Sequence, residues 1–484
     1  MTDNVTSSKT SNAASSGTPL DAVVFAQLMA GFAPFEAAPK IVVGVSGGAD
    51  SMALALLAHD WCHAQGGHLI AATVDHGLRP GSLDEAKWVG QELGKYGIDH
   101  VILPWIGDKP SGAIQEQARN ARYDILDTFM EANGIFHLLI AHHAGDQEET
   151  ITMRATRGAG RLGQAGMSAR RYLRFGRILR PLLPVPKADL VATLASRGQA
   201  WIEDPSNINE KFERVRVRKD IAAAEVRSLD TRDVTDARVR LESEIGNLLA
   251  RSVMVHANGV ALIDRNTFLA ADTPKEGAIY ALGQVVRMVG GSGYMPALDR
   301  LTDAFVRLMD NATARVSLGG CILHGRKDVI YVYRELGRMD QSPLRIDPEN
   351  LSKNGCVYWD KRFEWSAEAG KISSDPGLWI GPLGLCDVFH TKAFRTALRE
   401  IVPFIGNLPR AALASMPSLY DKEGLRSVGG LEVSELSDVL SAAGCERPLG
   451  RGEFAFGGRW RFAPQVPMWE SGFKLSPKPN NRLA

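Results

Sequence analysis

A chain of 484 residues with 45% hydrophobic content has material for about three globular domains, and a net charge of +1 makes it neither a basic nor an acidic protein as a whole. No apolar run approaches the ~20 residues that a membrane-spanning helix needs. The five cysteines (Cys62, Cys321, Cys356, Cys386, Cys445) form no C-x-x-C pair, which argues against zinc ribbons and disulfide frameworks and fits a reducing cytoplasm.

Residues 1–18 are rich in Ser, Thr, Asn and Ala, lack the apolar core of a signal peptide, and read as a disordered tail. A first domain is expected over 19–225. It opens on the β-branched run Ile41-Val42-Val43-Gly44-Val45, a buried strand, which stops at Ser46-Gly47-Gly48-Ala49-Asp50-Ser51 and hands over to an Ala/Leu-rich helix. Adjacent glycines let amides and hydroxyls converge at the helix N-terminus, where partial positive charge favours an anion. Asp50 is unwelcome beside a bare phosphate but suits a site shared with Mg²⁺. The bland alternative is an ordinary strand-to-helix turn.

Alternation continues with a strand at His68–Asp75, a helix near Ser82–Lys95, a strand at Asp99–Trp105 and a helix near Ala113–Asn133. A strand at Phe136–Ala141 follows, and a helix opens near Asp146. This order predicts an α/β fold: a doubly wound, mainly parallel sheet with ligands at the carboxyl ends of its strands. Between Arg154 and Lys219 stand 15 Lys/Arg against 5 Asp/Glu, interleaved with Gly, Tyr172 and Phe175. Beside a nucleotide site such a cluster favours nucleic acid, the alternatives being ATP-phosphate ligands or a solvated surface.

After Asp220 the alternation ends. A long amphipathic helix is expected over Leu229–Asn258, within a helical or α+β domain at 226–335 that carries strands at Ala314–Leu318 and Val329–Tyr333. A polar linker at 336–354, a β-containing domain at 355–476 and a basic tail at 477–484 complete the chain.

The loop at Ser46–Ser51 resembles the pyrophosphate loop of the N-type ATP pyrophosphatases, which cleave ATP to AMP and pyrophosphate. Val74-Asp75-His76-Gly77-Leu78-Arg79, Gln117-Ala118-Arg119-Asn120-Ala121-Arg122-Tyr123 and Ala141-His142-His143-Ala144-Gly145-Asp146-Gln147-Glu148-Glu149-Thr150 follow it. So do Arg157-Gly158-Ala159-Gly160, Arg180-Pro181-Leu182-Leu183, Trp201 to Asn207, Arg214 to Arg218 and, more distantly, Ser317 to Cys321. The ordered set is similar to the bacterial tRNA(Ile)-lysidine synthetases. It departs from them at Gly145, where the family usually has an acidic or amide residue, and at Val215, where it has Asn.

The resemblance implies ATP-dependent ligation of L-lysine to the 2-oxo position of the wobble cytidine in the CAU anticodon of tRNA(Ile), through an adenylated cytidine. It implies catalytic roles for Asp50, Asp146, Glu149 and Arg214, and nucleotide contacts from Ser46, Gly47, Gly48, Ala49, Asp50, Ser51, Asp75 and His76. Substrate contacts fall to Arg119, Arg122, His142, His143, Arg157, Arg170, Arg171 and Arg174, and Mg²⁺ to Asp50. It also makes the C-terminal domains readers of tRNA.

Each motif has a duller reading. His142 and His143 could be packed histidines or, without H-x-x-x-H spacing, a weak zinc site. Asp146 and Glu149, three apart, could complement a helix dipole. Trp201–Asn207 reads best as a structural turn. Two rival functions remain at this stage. One is a thiolating relative, which the missing cysteine pair disfavours; the other is a non-catalytic RNA-binding protein on a relict nucleotide fold.

Overall fold

In chain order the first half consists of α1 (Ala22–Ala30), β1 (Lys40–Gly44), α2 (Ala49–Ala64), β2 (His68–Asp75), α3 (Ser82–Gly94), β3 (Asp99–Pro104) and α4 (Ile114–Asn133). It continues through β4 (His137–Leu139), α5 (Ala144–Thr156), the strands β5 (Arg170–Tyr172) and β6 (Arg177–Leu179), and α6 (Lys187–Ser196). The computed structural model describes residues 17–77, 81–105, 114–156, 165–173, 175–203, 231–270, 273–367, 377–445 and 458–464. The chain divides into two compact units, 1–242 and 243–484.

The sheet of the first unit has the order β3-β2-β1-β4-β6-β5, parallel except for β5. The strand period of two explains its two covered faces. Ile41 and Val43 of β1 pack with Met52, Leu54 and Ala55 of α2, while Val42 packs with Tyr123, Leu126 and Met130 of α4. The chain winds outward from β1 to β3 and then returns to β4 on β1's other side. Such a reversal opens a crevice outside the carboxyl ends of the two central strands. The expected doubly wound sheet is therefore present, and its crevice lies between β1 and β4.

Residues 1–16 of the expected tail lie outside the described residues. From Thr18 on, the chain is held to α6: the Thr18 amide donates to Asp189 Oδ1 and the Leu20 amide to Thr193 Oγ1, both at 2.9 Å.

The boundary between the units falls within α7 (Thr231–Ser252), which ends sooner than the expected Leu229–Asn258 helix. Val253-Met254-Val255 carries two β-branched residues and leaves the helix as β7 (Val253–Val255), pairing with β8 (Ala261–Asp264). With β9 (Arg315–Leu318), β10 (Cys321–Arg326) and β11 (Val329–Arg334) they form an antiparallel sheet of order β7-β8-β11-β10-β9. Gly319 and Gly320, at φ +58° and +76°, make the two-residue turn between β9 and β10, a left-handed pair that glycine adopts without strain.

The polar stretch 336–354, read above as a linker, carries ordered elements. β12 (Leu344–Arg345) pairs with β15 (Trp379–Pro382), and Asp347 caps the helix Pro348–Asn354. β13 (Val357–Trp359) and β14 (Phe363–Ala367) join β18 (Gly458–Phe462) in a three-stranded sheet, while β16 (Pro417–Asp421) and β17 (Gly424–Val428) extend β15. The expected tail 477–484 lies outside the described residues.

Candidate active site

The turn after β1 is shaped by its small residues. Ser51 Oγ donates to the Gly48 carbonyl at 3.0 Å and accepts from the Ser46 amide at 3.1 Å; Ser46 Oγ lies 3.3 Å away. Gly47 sits at φ +87°, and a Cβ there would meet Ile202 Cδ1 at 2.8 Å. The Ile202 amide also donates to the Gly47 carbonyl at 2.9 Å, so Trp201–Glu203 backs the loop, in keeping with its structural reading. Gly48 caps α2 without a side-chain acceptor, which leaves the first-turn amides free of an internal cap, and Asp50 stands in that first turn.

Asp50 is the point where the motifs meet. Its Oδ2 lies 3.7 Å from His143 Nε2 and 3.8 Å from Lys187 Nζ, while its Oδ1 is buried and makes no hydrogen bond among the described residues. His143 Nε2 is equally 3.7 Å from Asp146 Oδ2, which accepts the His143 amide at 3.0 Å and so ties the start of α5. Loop, His-His motif and first acidic residue of α5 thus converge from the ends of adjacent strands. Glu149 lies almost a turn further along α5 and is buried; beside it, burial pushes the Glu148 carboxyl up, with His143 opposing and Glu149 adding to the shift.

The remaining expected residues divide. His142 Nδ1 accepts from Arg180 Nε at 3.0 Å, which orients the first histidine from β6's end. Asp75 Oδ1 accepts from the Gly77 amide at 2.9 Å and Ser82 Oγ at 2.7 Å, shaping the turn after β2, and Arg122 Nε lies 3.4 Å from His76 Nε2. Arg157, Arg174, Arg214 and Val215 lie outside the described residues, as does the side chain of Arg119.

The basic segment is less uniform than its composition suggests. Arg154 donates to the Gly166 carbonyl at 2.6 Å, Arg177 to His137 Nδ1 at 2.9 Å and to the Pro34 carbonyl at 2.7 Å, and Arg180 to the Ser168 carbonyl at 2.8 Å. Arg170 donates to the Gly31 carbonyl and lies over the Phe32 ring. Arg171 is exposed and lies over Tyr123. Several arginines that read as a nucleic-acid surface therefore hold the backbone together.

Lys187, the first residue of α6, was not singled out in the sequence. It lies far along the chain from Asp50, and only its position after Pro186 at a helix start marks it.

Asp50, with Asp146 beside it, offers one or two carboxylates, one with an orphaned oxygen. That donor set fits a Mg²⁺ ion whose shell is completed by phosphates and water. Among the described residues no group of three or more His, Cys, Asp or Glu forms a metal cage. Burial pushes the Cys62 thiol up to about 11 and Cys321 to about 12, so neither is a thiolate nucleophile near neutral pH.

A PP-loop domain model matches residues 21–225. The tRNA(Ile)-lysidine synthase of Orientia tsutsugamushi is 32% identical over 359 residues, covering 71% of this chain and 78% of the relative. The chain belongs to the tRNA(Ile)-lysidine synthase family.

Two further lysidine synthases extend the likeness. That of Rhodopseudomonas palustris is 44% identical over 228 residues, 46% of this chain and 66% of its own. That of Ruegeria pomeroyi is 34% identical over 398 residues, 80% of this chain and 88% of its own. Membership makes the protein a ligase-type enzyme on a PP-loop domain. A Cβ on Gly145 would stand 2.9 Å from His143 Cε1, so this position borders the seat of the histidine.

Proposed function

We propose that the protein ligates L-lysine to C2 of the wobble cytidine in the CAU anticodon of tRNA(Ile), consuming ATP and releasing AMP and pyrophosphate. The observation that carries the reading is Asp50, placed in the loop at the N-terminus of α2, sharing His143 with Asp146 from the neighbouring strand end. A nucleotide-side carboxylate and an amine-side carboxylate thus meet in one crevice.

The 2-oxo group of cytosine is a poor leaving group. In the first step its oxygen attacks the α-phosphorus of ATP, an O–P bond forms and pyrophosphate leaves. In the second, the lysine ε-amine attacks C2, the C–O bond breaks and AMP carries the oxygen away. Loop amides at Gly47 and Gly48 with the α2 N-terminus stabilise the charge on the departing pyrophosphate, and Lys187 supplies a cation beside Asp50. Mg²⁺, when bound through Asp50, neutralises phosphate charge. An ordinary lysine amine, pKa ~10.4, is mostly protonated at neutral pH. Asp146 holds that ammonium, and Asp146 or Glu149 takes its proton before attack.

The test is AMP formation from ATP with a tRNA(Ile) transcript bearing CAU and each standard amino acid in turn. Turnover with lysine alone is expected; equal turnover with glutamine or methionine overturns the reading. A thiolating reaction lacks support in a chain with no C-x-x-C pair and two deeply buried thiols.

A further inference from the structure

We propose that His143 is a positioning residue that keeps Asp50 and Asp146 in a fixed relation, and that glycine at 145 is what allows it to do so. The inference rests on the ligase reading above and deepens it.

The hydrogen bonds define the ring. The Gly145 amide donates to His143 Nδ1 at 3.0 Å. An accepting Nδ1 puts the ring proton on Nε2. Nε2 stands 3.7 Å from Asp50 Oδ2 and the same distance from Asp146 Oδ2. Neither contact is a hydrogen bond at that length; the Nε2–H faces both carboxylates as an electrostatic contact. His143 is buried, at 5% exposure. With one carboxylate on either contact of the ring, the polarised Nε2–H offsets their mutual repulsion where both face the crevice.

Space tells the same story. A Cβ at position 145 would lie 2.9 Å from His143 Cε1 and 3.2 Å from Nδ1, so any side chain there pushes the ring away from the carboxylates. Gly145 stands in the first turn of α5 and outside the left-handed region, so the backbone does not call for glycine there. What occupies the space of a side chain is the imidazole.

Because the two carboxylates serve different halves of the reaction, losing their register should lower kcat and leave ground-state binding largely alone. The glutamine amide nitrogen reaches where Nε2 stands; the asparagine amide reaches only as far as Nδ1. In the full-length protein, AMP formation dependent on lysine and tRNA should fall by about 10²-fold in His143→Ala and His143→Asn. His143→Gln should recover most of that loss, with KM for ATP moving less than about threefold in all three. Gly145→Ala should lose about tenfold in kcat. Equal losses in the Gln, Asn and Ala variants, or a fully active Gly145→Ala, would overturn the proposal.

A second measurement does not depend on the reaction. Nitrogen-15 NMR of the His143 ring should report the Nε2–H tautomer and shift in both Asp50→Asn and Asp146→Asn. An Nδ1–H tautomer, or a ring blind to either substitution, overturns the positioning role even if the ligase reading stands. A wild-type protein that forms no AMP with lysine and tRNA, yet has the expected ring signature, breaks the ligase reading instead.

Discussion

Each unit contains a carboxylate among cations, and the two are built differently. Asp360 of the second unit accepts Arg362 Nε at 2.7 Å, has Arg362 Nη2 at 2.6 Å and lies 3.3 Å from Arg334 Nε. Arg334 in turn donates to the carbonyls of Gly320 at 2.9 Å and Arg338 at 2.8 Å, so the cluster staples the β13–β14 turn to the β9–β10 turn. Asp360 and Lys361 even hold left-handed backbone, φ +49° and +57°, to reach it. Asp50 in the first unit has the His143 ring at 3.7 Å, the Lys187 ammonium at 3.8 Å and one buried oxygen with no hydrogen bond among the described residues. Short contacts fix architecture, even though the buried Arg362 Nη2 makes no hydrogen bond among the described residues; long ones leave a carboxylate oxygen for a ligand to satisfy.

The sharpest test removes each carboxylate. Asp360→Ala leaves two largely buried guanidinium groups without their anion and should cost about 3–5 kcal/mol in urea unfolding of the second unit. A loss below about 1 kcal/mol would erase the contrast. Asp50→Ala should do the reverse: AMP formation falls by about 10²–10³-fold, while unfolding stability stays within about 0.5 kcal/mol. A folded Asp50→Ala protein with full activity would remove the nucleotide assignment.

His256 tests whether the second unit tolerates charge anywhere else in its interior. Its ring is buried against Phe404 at 4.0 Å between centroids, and burial pulls its pKa down to about 4. The unfolded chain takes up a proton near pH 6.5 and the folded chain only near 4, so stability falls as pH drops through that window. The total is on the order of 3 kcal/mol, complete below the lower value. Unfolding free energy of His256→Phe measured from pH 7 to 4 should lose that part of the slope; an unchanged slope would assign it to other groups.

The smallest expected effects separate structural from ligand-facing arginines. Arg171→Ala should flatten the dependence of log tRNA affinity on log salt by about 0.7–0.9 without lowering the melting temperature. Arg170→Ala should lower the melting temperature, because it removes a donor to the Gly31 carbonyl; each arginine also covers a ring, Phe32 or Tyr123, so that contact does not separate them. Identical behaviour of the two would dissolve the distinction.

The parallel sheet and the loop at Ser46–Ser51 were legible because their signals are local: β-branched runs, a Gly-Gly turn and an Ala-rich helix lie next to one another in sequence. The conjunction of loop and His-His motif was legible too, since both end central strands. The rest depends on partners distant along the chain. Lys187 reaches Asp50 across most of the first unit, and the charge of Arg177 and Arg180 says nothing of the histidines and carbonyls they bind. Polar composition at 336–354 likewise hid β12, whose partner β15 lies beyond β13 and β14.

The pairing of Ile41 with His137 has a kinetic meaning. β1 finds β2 early in the chain, but β4 must come back past β2 and β3 before the crevice exists, and such long loop closure is the slow part of assembling a sheet. During refolding, the β1–β2 hydrogen bonds should become protected from exchange before the protein regains the power to bind nucleotide. Synthesis imposes the same order: a nascent chain that has emerged only through α4 holds the whole phosphate loop but neither His143 nor Asp146. Binding competence therefore reports the later β1–β4 pairing, not the earlier β1–β2 one.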